Sequence, residues 1–237
     1  QDLVEHMLAN DVSPQLFDRY AAKSVLPHGK LSIPTFEKCL ATAQAFTSKV
    51  QSFTQGNPAA SHSYDQNFDG MRLVGELNDL YPQGLLRHRC ASIKPKDRLS
   101  SWVHHLAFCS VAKESSEDTT RSHLLGNSTG DRSYDFVADS QQILTDLLKV
   151  FQEGQLRPLP FFPKAAFGYS EEFSKGKDKE RCLDKARTEW LGSERSMGEC
   201  EDVDFGYCFG RVDHIGEEFT QLADQLVAPL LNSESKR

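Results

Sequence analysis

Two short strings, Gly75-Glu76-Leu77-Asn78 and Arg87-His88-Arg89, stand where a metal-dependent nuclease would carry its chemistry. Such a core sets an Asp at the end of one strand and an acidic-x-Lys triplet on the next. The carboxylates hold Mg²⁺, and the lysine positions or stabilises the charged phosphate during attack. In this chain the first position is Asn78, a neutral amide, and the triplet begins and ends on arginine. Strand alternation puts Arg87 and Arg89 on one face and gives Glu76 the face of Asn78. Two guanidinium groups repel a cation, so a divalent metal has lost both anionic ligands. The expectation is a vacated site with no catalytic residue, no metal and no cofactor. Its remaining positions, Asn78, Arg87, Arg89 and Glu76, should cluster at one end of a sheet, with Glu76 close enough to pair with an arginine. A shifted alignment that recruits Glu76 or Asp79 would instead leave an active Mg²⁺-dependent exonuclease.

Positioning these residues requires a hairpin. Leu73 to Tyr81 and Leu85 to Ile93 read as its strands around Pro82-Gln83-Gly84. Asp97 is placed to cap a helix with the stripe Leu99, Trp102, Val103 and Leu106, which makes Trp102 core. Two short strands fit within His123 to Val137, and Asp139 caps a helix that stops at Gly154. Upstream, Ser13-Pro14 opens a helix through Lys23, and a second helix runs from Pro34 to Gly56. Asn57 to Asn67 is polar and turn-rich and reads as a loop, as does Lys113 to Thr120. In the last third, Phe161-Phe162 is extended among prolines. Lys179 to Trp190 is helical, Gly192 to Asp204 is an acidic loop, and Phe205, Tyr207 and Phe209 alternate as a strand or aromatic plug. Ile215 to Leu231 makes a final helix ending near Pro229. The order is mixed α/β without the regular alternation of a doubly wound sheet. One domain over 1–237 is expected, with a helical part (1–56) followed by an α/β core and C-terminal helices (57–237).

The formal charge of −7 argues against a whole-surface nucleic-acid binder. Residues 87–98, RHRCASIKPKDR, nevertheless hold five Lys/Arg against one acid, a local +4. Arg87, Arg89, Lys94, Lys96 and Arg98 are therefore candidate DNA contacts, and a solvated hairpin edge is the alternative. No apolar run approaches the ~20 residues of a membrane span, and Gln1-Asp2 opens no signal peptide. Since residue 1 is not Met, an excised or processed chain is expected. The six cysteines form no C-x-x-C pair, which fits reduced thiols (Cys39 and Cys109 inside apolar helical patterns) and a cytoplasmic location.

The strings GELNDLYPQGLL, KPKDRLSSWVHHLAF, LRPLPFFPKAAFGY and LDKARTEWLG occur in an order that resembles the C-terminal domain family of RecC, the gamma chain of exodeoxyribonuclease V. VLPHGKLS resembles a further family segment, with Ser32 replacing its second glycine. The resemblance spans about Ala21 to Leu231. It implies a restriction-endonuclease-like core (PD-(D/E)XK type), a mixed central sheet flanked by helices, with a degenerate active site. It further implies a non-catalytic structural and DNA-guiding role in double-strand break repair and homologous recombination. The complex so implied is an ATP-dependent exodeoxyribonuclease and helicase. Implied partners are its beta and alpha subunits and forked or duplex-end DNA, with no membrane. Asn78 departs from the family's Asp. A pure protein-interaction module is the remaining alternative.

Overall fold

The computed structural model describes residues 1–9, 15–112, 120–127 and 130–236. The Ser13-Pro14 cap and most of the loop expected over 113–120 lie outside them. Helices α1 (Asp2–Leu8) and α2 (Leu16–Ala22) precede a 3₁₀ turn and the long α3 (Ser32–Thr54). Helix α3 begins two residues before Pro34, which its first turn tolerates because the proline there lacks only an N–H without an intrahelical partner. Ala43, Phe46 and Val50 recur along one side, and they pack with Val4 and Met7 of α1. Cys39 is exposed, not part of that apolar side.

Strand β1 (Ala60–Phe68) corrects the expected loop over 57–67. It is an edge strand whose residues are mostly polar, with Tyr64 and Phe68 packed inward from one face, so its alternation is weak in sequence. The Asp69-Gly70 turn that follows has both residues at positive φ (48° and 86°) and leads into β2 (Met71–Tyr81), with seven residue pairs in one register with β1 and an eighth, Ala60–Leu80, shifted. That conformation is what tight hairpins demand of their two central residues. Pro82 and Gln83 then turn the chain into β3 (Gly84–Arg89), shorter than the strand expected to Ile93. At Gly84, φ is 118° and an added Cβ would stand 2.0 Å from the Arg121 carbonyl oxygen, so only glycine fits. Helix α4 (Pro95–Val111) crosses over to β4 (Ser122–Gly126), which lies parallel to β3, and β5 (Arg132–Tyr134) returns antiparallel. Asp97 sits inside α4's first turn rather than at its cap, and its carboxylate accepts the Lys94 N–H at 2.8 Å.

Helix α5 (Ser140–Leu156) follows Asp139 and runs past Gly154; α6 (Pro163–Ser174) and α7 (Lys179–Leu191) come next. A two-residue ladder joins β6 (Gly192–Ser193) to β7 (Ser196–Met197). Phe205 and Phe209 lie on a helix, α8 (Val203–Phe209), not on a strand. Their i, i+4 spacing puts both rings edge-on against Phe162, which stacks on Trp190 at 3.7 Å, while Tyr207 points to solvent. The expected final helix divides at Val227, two residues ahead of Pro229, into α9 (Glu217–Leu226) and α10 (Ala228–Ser233). The sequence reading lacked β8 (Glu234–Lys236), which pairs with β5.

The result is a mixed α/β fold. Its six-stranded sheet runs β1-β2-β3-β4-β5-β8. In β4, Leu125 and β3's Leu86 face α1 and α3, whereas Leu124 joins Trp102, Leu106, Phe162 and Phe219 in the larger core. Trp102 is buried at 1% exposure, as its helical stripe requires. Among the described residues no helix is long and apolar enough to cross a membrane.

Candidate functional site

The site is set by a bulge. Ala60 pairs with Leu80 and His62 with Leu77, so β2 carries one residue more than β1 across this interval. Asp79 takes the left-handed conformation there, φ 62°, which is costly for a residue with a Cβ. The β2–β3 ladder holds only Leu80–Leu85 and Tyr81–Gly84. Beyond it the two strands part. A cavity of about 650 Å³ opens beside the end of β3, lined by Gln1, Glu5, Asp79, Arg87–Ala91 and Asp97.

Arg87 and Arg89 share a face, as alternation requires, and that face looks at α4. Arg87 Nη1 lies 3.4 Å from His104 Nε2, and Arg89 Nη1 grips both oxygens of Asp97 at 2.6 and 2.8 Å. On β2 the residue turned toward α4 is Leu77, which packs with Leu85 and Ala107. Glu76 and Asn78 alternate with Leu77 and so project from the opposite face, exposed to solvent. The expected cluster of Asn78 and Glu76 with the two arginines is therefore not formed, and among the described residues Glu76 makes no ion pair with either arginine. The cause is apolar patterning: with Leu77 turned into the core, its two neighbours Glu76 and Asn78 point outward.

Of the β2 carboxylates, Asp79 and not Glu76 lines the cavity, on the side of α1 and α3. There His88 packs near Phe46 and accepts from the Gln1 amide at 3.3 Å. Burial holds the His88 pKa below its usual range against the raising pull of Asp79 and Glu5, and the positive Arg87 lowers it further. Burial likewise lowers the pKa of His104, with the Ser100 carbonyl opposing and Arg87 adding to the shift. The two sheet faces thus differ: Asp79 and Glu5 act on His88 on one side, while the two guanidinium groups stand on the other with His104 and with Asp97, the partner of Arg89. Sequence spacing named Asp79 only as an alternative ligand and did not single out Glu5, His88 or His104, because the bulge has no signature in residue type.

The basic run divides as well. Lys94 and Lys96 are exposed at the start of α4. Arg98 is not available to a phosphate. It is 5% exposed; its Nε and Nη2 bond the two carboxylate oxygens of Glu234 at 2.8 and 2.5 Å, and Nη1 bonds Glu171 at 2.6 Å. The Phe167 ring lies 4.1 Å from its guanidinium carbon. An arginine one turn into a helix, facing the sheet, is a core residue whatever its neighbours in sequence. Among the described residues no three of His, Cys, Asp or Glu come together as a metal site.

A family model described as the RecC C-terminal domain matches residues 1–174. Of the curated proteins, the RecBCD enzyme subunit RecC of Escherichia coli (strain K12) is 26% identical over 214 residues, covering 86% of this chain and 18% of that protein. The subunit of the same name from Buchnera aphidicola subsp. Schizaphis graminum (strain Sg) is 20% identical over 213 residues, 85% of this chain and 19% of that protein. The chain thus spans about a fifth of the length of these curated relatives. With a match over residues 1–174 of 237, the chain belongs to the RecC C-terminal domain family.

Proposed function

We propose that this chain is a non-catalytic scaffold of a RecBCD-type helicase-nuclease, and that it guides DNA and supports subunit assembly in double-strand break repair and homologous recombination. One observation carries the reading. On the sheet face of Arg87 and Arg89, β2 presents the aliphatic Leu77, while the candidate carboxylate Glu76 projects from the other face. Magnesium-dependent phosphodiester hydrolysis needs carboxylates converging on the metal; here two permanent cations hold that ground. The succession of two antiparallel strands and a helix, β2, β3 and α4, supports a nuclease-like core whose site has decayed, within a single domain over 1–237. The exposed Lys94 and Lys96 at the start of α4 and the half-buried Arg87 on β3 are the basic residues left for DNA. The partners are forked or duplex-end DNA and the other two subunits, alpha and beta, and the setting is the cytoplasm, which suits six free thiols.

The test is twofold. Linear DNA incubated with the purified chain and Mg²⁺ or Mn²⁺ stays intact, and a salt-dependent complex forms with forked DNA. Cleavage abolished by Glu76→Ala or Asp79→Ala would establish the exonuclease reading instead. Absence of DNA binding with retained subunit assembly would leave a pure interaction module.

A further inference from the structure

We propose that Arg87 forms a single-phosphate subsite in the cavity at the end of β3, which takes one phosphate of a nucleic-acid backbone. The inference rests on the DNA-guiding reading and narrows it to one residue of the basic run.

The five basic residues of that run have different occupations. The guanidinium group of Arg98 is buried and used on three sides by Glu234 and Glu171. Arg89 is committed to Asp97, a carboxylate fixed in turn by the Lys94 N–H. Lys94 and Lys96 are solvated. Arg87 differs from all four. It is half-buried, it lines the cavity, and among the described residues it has no carboxylate at ion-pair distance.

Its one hydrogen-bond partner among the described residues, His104, is not an anion. His104 Nδ1 lies 2.7 Å from the Ser100 carbonyl oxygen, so that nitrogen carries the proton and donates; Nε2 is left as an acceptor for Arg87 at 3.4 Å. A guanidinium has five N–H donors in a planar fork, and this long contact occupies one. The rest have no acceptor among the described residues. Burial, together with the charge of Arg87, holds His104 in its neutral form, so the imidazole orients the arginine without cancelling its charge.

The acids lining the cavity do not fill this role. Asp97 is taken by Arg89. Asp79 acts on His88 and Tyr81, on the α1 and α3 side of the sheet, and Glu5 of α1 acts on His88 there as well. A half-buried guanidinium with free donors calls for an external anion, and a phosphate diester matches its fork with two parallel hydrogen bonds.

The test uses the whole 237-residue chain and Arg87→Gln, with thermal unfolding showing that the variant stays folded. Two probes separate the possible anions. With forked DNA, the variant should bind more weakly at every sequence, and the slope of log K against log salt should shrink by about one. With inorganic phosphate, the ¹⁵Nε resonance of Arg87 should shift on titration. Equal DNA affinity and slope in both proteins would overturn the subsite while leaving DNA guiding intact. A phosphate-dependent shift with an unchanged DNA slope would identify a free-phosphate site and overturn the backbone assignment. If neither protein binds DNA, the DNA-guiding reading fails, and the backbone assignment fails with it. Should Arg87→Gln not fold, Arg87→Lys replaces it: a point charge keeps the salt slope but loses the fork, so affinity should still fall. Unchanged affinity in that variant would count against the subsite.

Discussion

Arg87 and Arg98 come from the same basic run, yet one edges a cavity while the other is sealed in the core. The difference lies in the element, not in the residue. Arg87 lies on β3 beyond its last pairing with β2, where the strands have parted past the bulge, and it lines the cavity there. Arg98 lies one turn into a helix that packs on the sheet, where only a buried carboxylate could make its charge tolerable; Glu234 of β8 is that carboxylate. Identical side chains are thus a potential reader of external anions in one place and an internal fastener in the other.

The largest effect should come from breaking the fastener. Glu234→Ala leaves Arg98 charged, buried and half paired, and should cost about 3–5 kcal/mol in chemical denaturation. Replacing both, Arg98→Met with Glu234→Leu, should cost clearly less than the single change. If the single change costs no more than a surface substitution, the contrast with Arg87 collapses.

Next in size is a pH effect, which extends the contrast to histidine. His105 is fully buried, bonded to the Ser122 hydroxyl and the Asp135 carbonyl, and burial pushes its pKa down to about 4. The unfolded chain then takes up a proton near the ordinary value of about 6.5 while the folded one does not. Stability is therefore complete above that pH and falls as pH drops toward 4, by about 2 kcal/mol at pH 5 from this group. Urea titrations at pH 7.5 and 5 check it, and His105→Gln should flatten the dependence.

A smaller loss, about 1 kcal/mol, is expected for Asp97→Ala, which removes a bond to the α4 terminus and the partner of Arg89. The smallest is Arg87→Gln, within about 0.5 kcal/mol of the unaltered chain in the same measurement. A large loss there would mean that Arg87 is structural like Arg98.

Much of the architecture was legible where periodicity is strong. Helices α3, α4, α5 and α7 declared themselves through apolar spacing and their flanking residues, and Trp102 through its stripe. Strand β1 was hidden because it is mostly polar, and Tyr64 and Phe68, the aromatics on its inward face, are too far apart to mark an alternation. Phe205 and Phe209 fit a period of two and a helical i, i+4 equally well, and packing against Phe162 decided for the helix. The site was legible only in part. Alternation placed Arg87 and Arg89 together correctly, but the other strand's facing depends on which residues enter the core, and Leu77 took that position. Nothing local to RHRCASIKPKDR distinguishes a buried arginine from exposed lysines, because the carboxylate that decides it is 136 positions away from Arg98.

That separation also bears on kinetics. Strand β8 meets β5 and Arg98 only after most of the intervening chain is in place, since closing so long a loop is entropically unfavourable until other contacts have formed. The Arg98–Glu234 pair should therefore be absent from the folding transition state. Weakening it should leave the refolding rate nearly unchanged and appear almost wholly as faster unfolding. The β8 carboxylate would then act as a late latch that sets how long the folded molecule lasts rather than how quickly it forms.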